Sequence, residues 1–195
     1  KVSADIDPAM LGNILHEIMR KLYHDYIGQV LTGEILGRII GNTEALQRII
    51  KEAVRDKFKN GENGFEGGNE LIVTDVLMVY LKRILQCDKA IAPVTILNLE
   101  ENFSFMISVP VDGKLIELLT GGVADRVDVI SGITRIVDYK TGTVSDTLTS
   151  IGDLFSEDRK KDYDGWLQTL LYCEAYLSAN KSVIVRPSVY KIKKL

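Results

Sequence analysis

The sequence predicts an α/β fold, a mixed β-sheet flanked by helices, with a helical N-terminal half. Three observations lead there. Leu11, Ile14, Leu15, Ile18 and Leu22 recur at helical spacing, and similar stripes continue to about residue 92. From Val94 onward β-forming residues dominate, punctuated by the hairpin signals Asp112-Gly113 and Ser131-Gly132. A helical pattern over 166–177 then separates the last two strands, and a strand–helix–strand crossover implies a right-handed parallel connection. A length of 195 residues suits a single domain with a substantial core. The helical part covers about 1–92 and the sheet core about 93–195.

Each element has a local reason. Asp7-Pro8 reads as an N-cap followed by proline at the first helical position, opening a helix that runs to about residue 26. Gly12, His16 and Tyr23 lie along one flank of its apolar stripe, whereas His24 reads as a surface residue. Residues 34–40 suit a short helix. Thr43 is expected to cap a helix to about residue 59 that buries Ala45, Leu46, Ile49, Ile50 and Val54. The Gly- and Asn-rich stretch 60–69 reads as a mobile loop. No Gly-Lys-Ser/Thr follows it, which excludes a Walker-type phosphate cradle. Another helix is expected over 70–89.

Strand signals cover 94–109. After the turn at Asp112-Gly113, residues 115–119 and 123–130 read as one long strand bent at Gly121-Gly122. The next strand is 133–139. A polar stretch from Thr141 to Gly165 is long for a structureless loop, and Leu148, Ile151, Leu154 and Phe155 suit a short helix within it. The final strand, 182–190, contains Pro187, which places it at a sheet edge or ends it there.

Bulk properties narrow the function. No apolar run is long enough to span a bilayer, so no membrane partner is expected. No signal peptide is visible. The only two cysteines, Cys87 and Cys173, are far apart and lack metal-binding spacing, so both read as buried thiols in a reducing, cytoplasmic setting. The chain starts at Lys1 and stops in a charged run, and we read it as a domain excised from a longer protein.

The chemistry concentrates around the second hairpin. If Ser131-Gly132 forms a two-residue loop, Ile130 faces Ile133, and stepping outward sets Asp128 opposite Arg135 and Asp125 opposite Asp138. Lys140 follows Asp138 by two residues and shares its face. Cross-strand aspartates lie about 5 Å apart. Carboxylates at that distance call for a shared proton or a cation. Their neighbours on that face, Val123, Val127 and Ile136, are apolar and supply no counter-charge. Hard oxygen ligands and a nearby lysine favour a divalent metal, Mg²⁺ first and Mn²⁺ as a substitute.

Four pieces of the sequence together resemble the PD-(D/E)XK nuclease superfamily in its RecB-like form. They are Gly12-x-x-x-His16, Asp125 after a small glycine-led stretch, Asp138-Tyr139-Lys140, and Gln168-x-x-x-Tyr172. The pieces fall in the family's order and span nearly the whole chain. The resemblance implies a restriction-endonuclease-like core and a metal-dependent DNA exonuclease. Its products would carry 5′-phosphate and 3′-hydroxyl ends. It also implies a helicase or helicase-like partner in double-strand break repair. The net charge of −3 is poor for a stand-alone nucleic-acid binder, which fits a neighbouring domain or subunit delivering the DNA. Some relatives hold an iron–sulfur cluster on four cysteines. Two cysteines cannot, so no such cluster is expected.

Roles follow from the same resemblance. Asp125, Asp138, the Tyr139 backbone carbonyl and His16 would hold the metal, His16 alternatively touching the scissile phosphate. Lys140 would orient or activate the attacking water and steady charge on phosphate, rather than only neutralise Asp138. Gln168 would hold the water or the lysine, and Tyr172 would touch a phosphate, whereas Tyr176 on the same stripe reads as core. Relatives often place a glutamate near Glu101, with Glu100 beside it as the alternative. Arg159, Lys160 and Lys161 form a basic cluster ahead of the Gln-x-x-x-Tyr helix that suits the DNA backbone. Two other readings are a nuclease fold kept as a silent DNA-binding or protein scaffold, and a defence-associated nuclease. Intact Asp125, Asp138 and Lys140 argue against the silent scaffold.

Overall fold

The computed structural model describes residues 8–59, 68–157 and 161–195. Helix α1 (Pro8–Tyr23) starts at the expected proline, while Asp7 lies outside the described residues. The helix ends three residues earlier than expected, the chain tightening into a 3₁₀ turn over His24–Tyr26. A two-residue strand, β1 (Val30–Leu31), comes next. It is too short to leave an alternation pattern in the sequence. Helix α2 (Gly33–Gly41) is capped by the Thr32 hydroxyl, which accepts from the Ile35 N–H. Helix α3 (Thr43–Lys59) is capped one residue before the expected Thr43. The Asn42 side chain accepts from the Ala45 N–H at 3.1 Å, so one asparagine closes α2 and opens α3.

Residues 60–67 of the expected glycine-rich loop lie outside the described residues. Helix α4 (Gly68–Ile91) begins two residues before its expected start. Strands β2 (Val94–Val111) and β3 (Lys114–Ile130) form one long hairpin through Asp112-Gly113, both at positive φ. Strand β4 (Ile133–Lys140) returns through Ser131-Gly132, also at positive φ. The stretch after it is not structureless. It holds a 3₁₀ turn over Ile151–Phe155, with Ser150 and Asp153 in a capping box, and a second over Lys161–Tyr163. Helix α5 (Asp164–Ala179) then leads to β5 (Ile184–Lys191).

The sheet order is β1-β2-β3-β4-β5, antiparallel except for the parallel β4–β5 pair, with β5 and its Pro187 at the edge. The expected mixed sheet flanked by helices is therefore present. Helices α1–α4 share one core with the sheet, in which Ile14, Leu15, Leu77 and Leu81 pack with Val137, Tyr139 and Tyr190. On the opposite face, Tyr172 and Cys173 of α5 pack on Ala124, Val127 and Ile136. Alternation along β4 explains the division: Val137 and Tyr139 point one way and Ile136 the other. Among the described residues no helix is long and apolar enough to cross a membrane.

Besides a bulge between Ile96 and Asn98 of β2, regular pairing is broken at two further places. The β3–β4 ladder runs from Ile130–Ile133 through Asp128–Arg135 to Arg126–Val137. Asp125 and Asp138, expected directly opposite each other, are not a ladder pair. On the other side of β3, the ladder passes from Leu99–Arg126 to Glu101–Ala124 without pairing Glu100 and Asp125. Glu100 has φ 52°, in the left-handed region that a non-glycine residue rarely enters. Leu99 packs toward the helical core and Phe103 toward α5. Unbroken alternation would place both on one side, so β2 turns over between them.

Candidate active site

These last two breaks lie around Asp125. Because β3 and β4 part there, its carboxylate reaches across and accepts the Tyr139 backbone N–H at 2.6 Å through Oδ2. Its other oxygen, Oδ1, faces His16 Nδ1 at 3.2 Å. His16 sits on the rim of α1, beside the buried Ile14, Leu15, Ile18 and Met19, and its Nε2 lies 2.9 Å from the Tyr139 carbonyl. Gly12 one turn earlier leaves room for the end of β4. A Cβ there would stand 3.2 Å from the Thr141 hydroxyl.

The left-handed residue completes the group. One ligand atom from each of His16, Glu100 and Asp125 falls within 4.8 Å of the others. The sequence left Glu101 and Glu100 as alternatives, and the turned-over backbone brings Glu100 to the centre while Glu101 pairs with Ala124. Both ring nitrogens of His16 face oxygen acceptors, two contacts that need either two ring protons or a metal ion in place of one of them.

Asp138 stands beside the cluster. Its Oδ1 is 3.0 Å from Lys140 Nζ, and its Oδ2 is buried with no hydrogen-bond partner among the described residues. A buried carboxylate oxygen without a partner is costly unless a ligand or ion completes it. Burial pushes the Asp125 carboxyl up to about 6. The charges of Asp138 and Glu100 push it the same way, against His16 and the Tyr139 N–H. Burial also raises Asp138, opposed by Lys140 and His16.

From Asp138 a chain of contacts leads to α5. Lys140 Nζ donates to Gln168 Oε1 at 2.8 Å, and Gln168 Nε2 donates to the Tyr172 hydroxyl at 2.9 Å. Spacing by four residues puts Gln168 and Tyr172 on one helix face, as expected. The Tyr172 hydroxyl lies over Gly122, where a Cβ would collide with it, and its ring packs on Phe103. Tyr176 packs on the same phenylalanine edge to face but is only partly buried, at the margin of the core it was expected to join.

The structure therefore brings His16, Asp125, the Tyr139 carbonyl, Asp138, Lys140, Gln168 and Tyr172 into one connected group and adds Glu100. Lys161 is exposed on the 3₁₀ turn before α5. Arg159 and Lys160 lie outside the described residues. His24 is exposed. Cys173 is buried, which pushes its thiol up to about 12, while Cys87 is only partly buried, short of the expected burial.

Sequence reasoning missed a buried polar network behind the site. The Asp128–Arg135 pair is present, as a fork at 2.8 and 2.7 Å. Asp128 also touches the fully buried Arg126, which forks onto Asp88 of α4 at 2.8 and 2.8 Å. Tyr23 and Tyr190 donate their hydroxyls to Asp88. One signal was available. Strand alternation puts Arg126 on the face opposite Asp125, toward the helical core, where Asp128 is already paired with Arg135 and a second arginine needs an acid from elsewhere.

Comparison with known proteins places the chain in a wider group. The family model for the PD-(D/E)XK nuclease superfamily matches residues 1–192. No curated protein matches the chain.

Proposed function

The chain belongs to the PD-(D/E)XK nuclease superfamily, and from that premise we propose that it is a divalent-metal-dependent DNA nuclease of the RecB-like type. We propose further that it works as an exonuclease in double-strand break repair, beside a helicase or helicase-like partner that delivers the DNA. The five-stranded mixed sheet with its flanking helices agrees with the restriction-endonuclease-like fold of that superfamily.

The observation that carries the reading is the convergence of Asp125, Glu100 and His16 within 4.8 Å, at the end of β4 that bears Lys140. Carboxylate oxygens, a backbone carbonyl and one imidazole suit a hard or borderline divalent ion. The partnerless Oδ2 of Asp138 is a further oxygen suited to the ion. In this reading Asp125, Asp138, the Tyr139 carbonyl and His16, with Glu100, hold Mg²⁺ or Mn²⁺. Such an ion lowers the pKa of water and neutralises charge growing on phosphate.

The remaining residues act on substrate and water. Lys140 is held between Asp138 and Gln168, its ammonium positioned to steady the phosphate and orient the attacking water. Gln168 fixes that lysine with its carbonyl and the Tyr172 hydroxyl with its amide. Tyr172 offers its hydroxyl to a phosphate oxygen, and Lys160 and Lys161 attract the DNA backbone.

The test is incubation with end-labelled linear and covalently closed circular DNA in Mg²⁺ or Mn²⁺, beside Asp138→Ala. Degradation of the linear DNA alone, lost in the variant, is the expected result. Cleavage of the circle would replace the exonuclease reading with an endonuclease. No cleavage by the native protein, alone or with its helicase partner, would remove the nuclease reading.

A further inference from the structure

The three elements that carry His16, Asp125 and Tyr139 are joined a second time on the helical side of the sheet, around one guanidinium. Arg126 follows Asp125 directly. Its guanidinium carbon lies 5.6 Å from the centre of the Tyr139 ring and 5.4 Å from that of Tyr23. Tyr23 follows His16 by seven residues, two turns along the same flank of α1. A third ring, Tyr190 of β5, lies 5.4 Å from the guanidinium carbon and stacks on Tyr139. Every group in this cage is almost fully buried.

We infer that the Arg126–Asp88 pair is a positioning device for the candidate metal site, holding α1, β3 and β4 in the register that brings His16, Asp125 and the Tyr139 carbonyl together. The inference rests on the metal-site reading above. Tyr139 makes the coupling direct. Its peptide N–H and carbonyl contact Asp125 and His16 on one side, while its ring is clamped under Arg126 on the other. Tilting the ring rotates the peptide that both ligands touch.

Asp88 fixes the guanidinium. Its two oxygens take the fork from Arg126, and the hydroxyls of Tyr23 and Tyr190 complete it at 2.6 and 2.7 Å. Asp128 touches the guanidinium at 2.8 Å but is shared with Arg135, so the fork on Asp88 sets the plane. Partners that orient first ligands typically change metal affinity by about 10- to 100-fold when removed.

The experiment is Mn²⁺ calorimetry on the whole chain for the native protein, Asp88→Asn and Tyr190→Phe. Leu46→Ala serves as a destabilised control, opening a cavity under α3, which contributes no residue to the site or to the cage. Positioning predicts that Asp88→Asn raises the Mn²⁺ dissociation constant about tenfold or more at unchanged stoichiometry, with Tyr190→Phe shifting it in the same direction. Leu46→Ala keeps the native constant. A purely structural role would lower the number of competent sites and leave the constant alone. If Asp88→Asn does not fold, Tyr190→Phe decides. Native affinity in the folded variants overturns the inference while the metal site stands. No Mn²⁺ binding by the native protein overturns the site itself, and this inference with it.

Discussion

Tyr139 donates its backbone N–H to Asp125 Oδ2 at 2.6 Å, just beyond Arg126–Val137, the last ladder pair of β3 and β4. The carboxylate thus does two jobs. Oδ2 closes the gap where the strands part, and Oδ1 faces His16. The jobs are separable by mutation. Asp125→Asn keeps an oxygen that can accept from Tyr139, so it should fold with a melting temperature near that of the native protein. It should lose Mn²⁺ affinity by about tenfold or more, since a direct ligand matters at least as much as its supporting partners. Asp125→Ala should lose the affinity and also about 1–3 kcal/mol of stability, the cost of a buried N–H left without an acceptor. Calorimetry and denaturant melts on the two variants separate these effects. Equal stability of both would refute the strand-bridging role.

The raised Asp125 carboxyl makes the metal-free protein sensitive to pH. Folding lifts it from 3.8 to about 6, so the folded chain binds this proton more tightly than the unfolded chain. The resulting contribution to stability is present in full below about 4 and is lost as pH rises through about 6. Asp138, raised by burial, adds in the same direction. Without metal, the contribution of Asp125 to stability should therefore fall between pH 4 and pH 6. A bound cation favours the ionised carboxylates, so added Mg²⁺ should raise the melting temperature more at pH 7 than at pH 5. Melts at both values with and without Mg²⁺ check this. An equal shift at both would contradict it.

Gly122 and Gly12 both give close approach, but with different margins. A Cβ at Gly122 would collide with the Tyr172 hydroxyl and ring, which the core holds against Phe103. Gly122→Ala should cost about 1–3 kcal/mol through overpacking. It should also break the Gln168–Tyr172 bond and lower turnover. At Gly12 the obstacle is the Thr141 hydroxyl at 3.2 Å, the end of a side chain that can rotate. Gly12→Ala gains about 1 kcal/mol of helix propensity against that contact and should be close to neutral. Thermal melts of the pair decide the order, and a larger loss at Gly12 would contradict the packing argument.

Particular residues show how far the sequence could be read. The Ser131-Gly132 loop fixed the β3–β4 register because a two-residue turn leaves no choice of pairing, and Asp128–Arg135 followed from it. Extending that register by counting failed at Asp125–Asp138, because counting assumes an unbroken ladder and the chain breaks it there. Glu100 could not be chosen over Glu101 for a related reason. Its selection depends on a left-handed backbone, and nothing in a glutamate's chemistry announces positive φ. Arg126 and Asp88 were hidden because their partnership spans 38 residues and joins a strand to a helix. Periodicity sees only one element at a time.

Lys140→Met should separate binding from turnover. The lysine contacts Asp138 and Gln168, and an ammonium has no lone pair to offer a metal ion. Removing it should leave Mn²⁺ affinity within a few-fold and abolish DNA hydrolysis. Unimpaired hydrolysis in a folded Lys140→Met protein would remove the lysine from the mechanism.

Glu100 provides the final contrast between stability and function. Holding a non-glycine residue at φ 52° costs about 1 kcal/mol, a cost that glycine does not share. The position is also beside Asp125, whose carboxyl the Glu100 charge pushes up, so the two acids repel when no cation lies between them. Glu100→Gly removes both penalties and should raise the stability of the metal-free protein by up to about 1 kcal/mol, while weakening Mn²⁺ binding. Glu100→Gln keeps the backbone penalty and loses the charge, so it should weaken binding with a smaller gain in stability. Denaturant melts without metal and calorimetry with Mn²⁺ on both variants give the comparison. Loss of stability in Glu100→Gly would mean that the carboxylate holds the metal-free fold together, and the strained turn of β2 would then need a structural rather than a functional explanation.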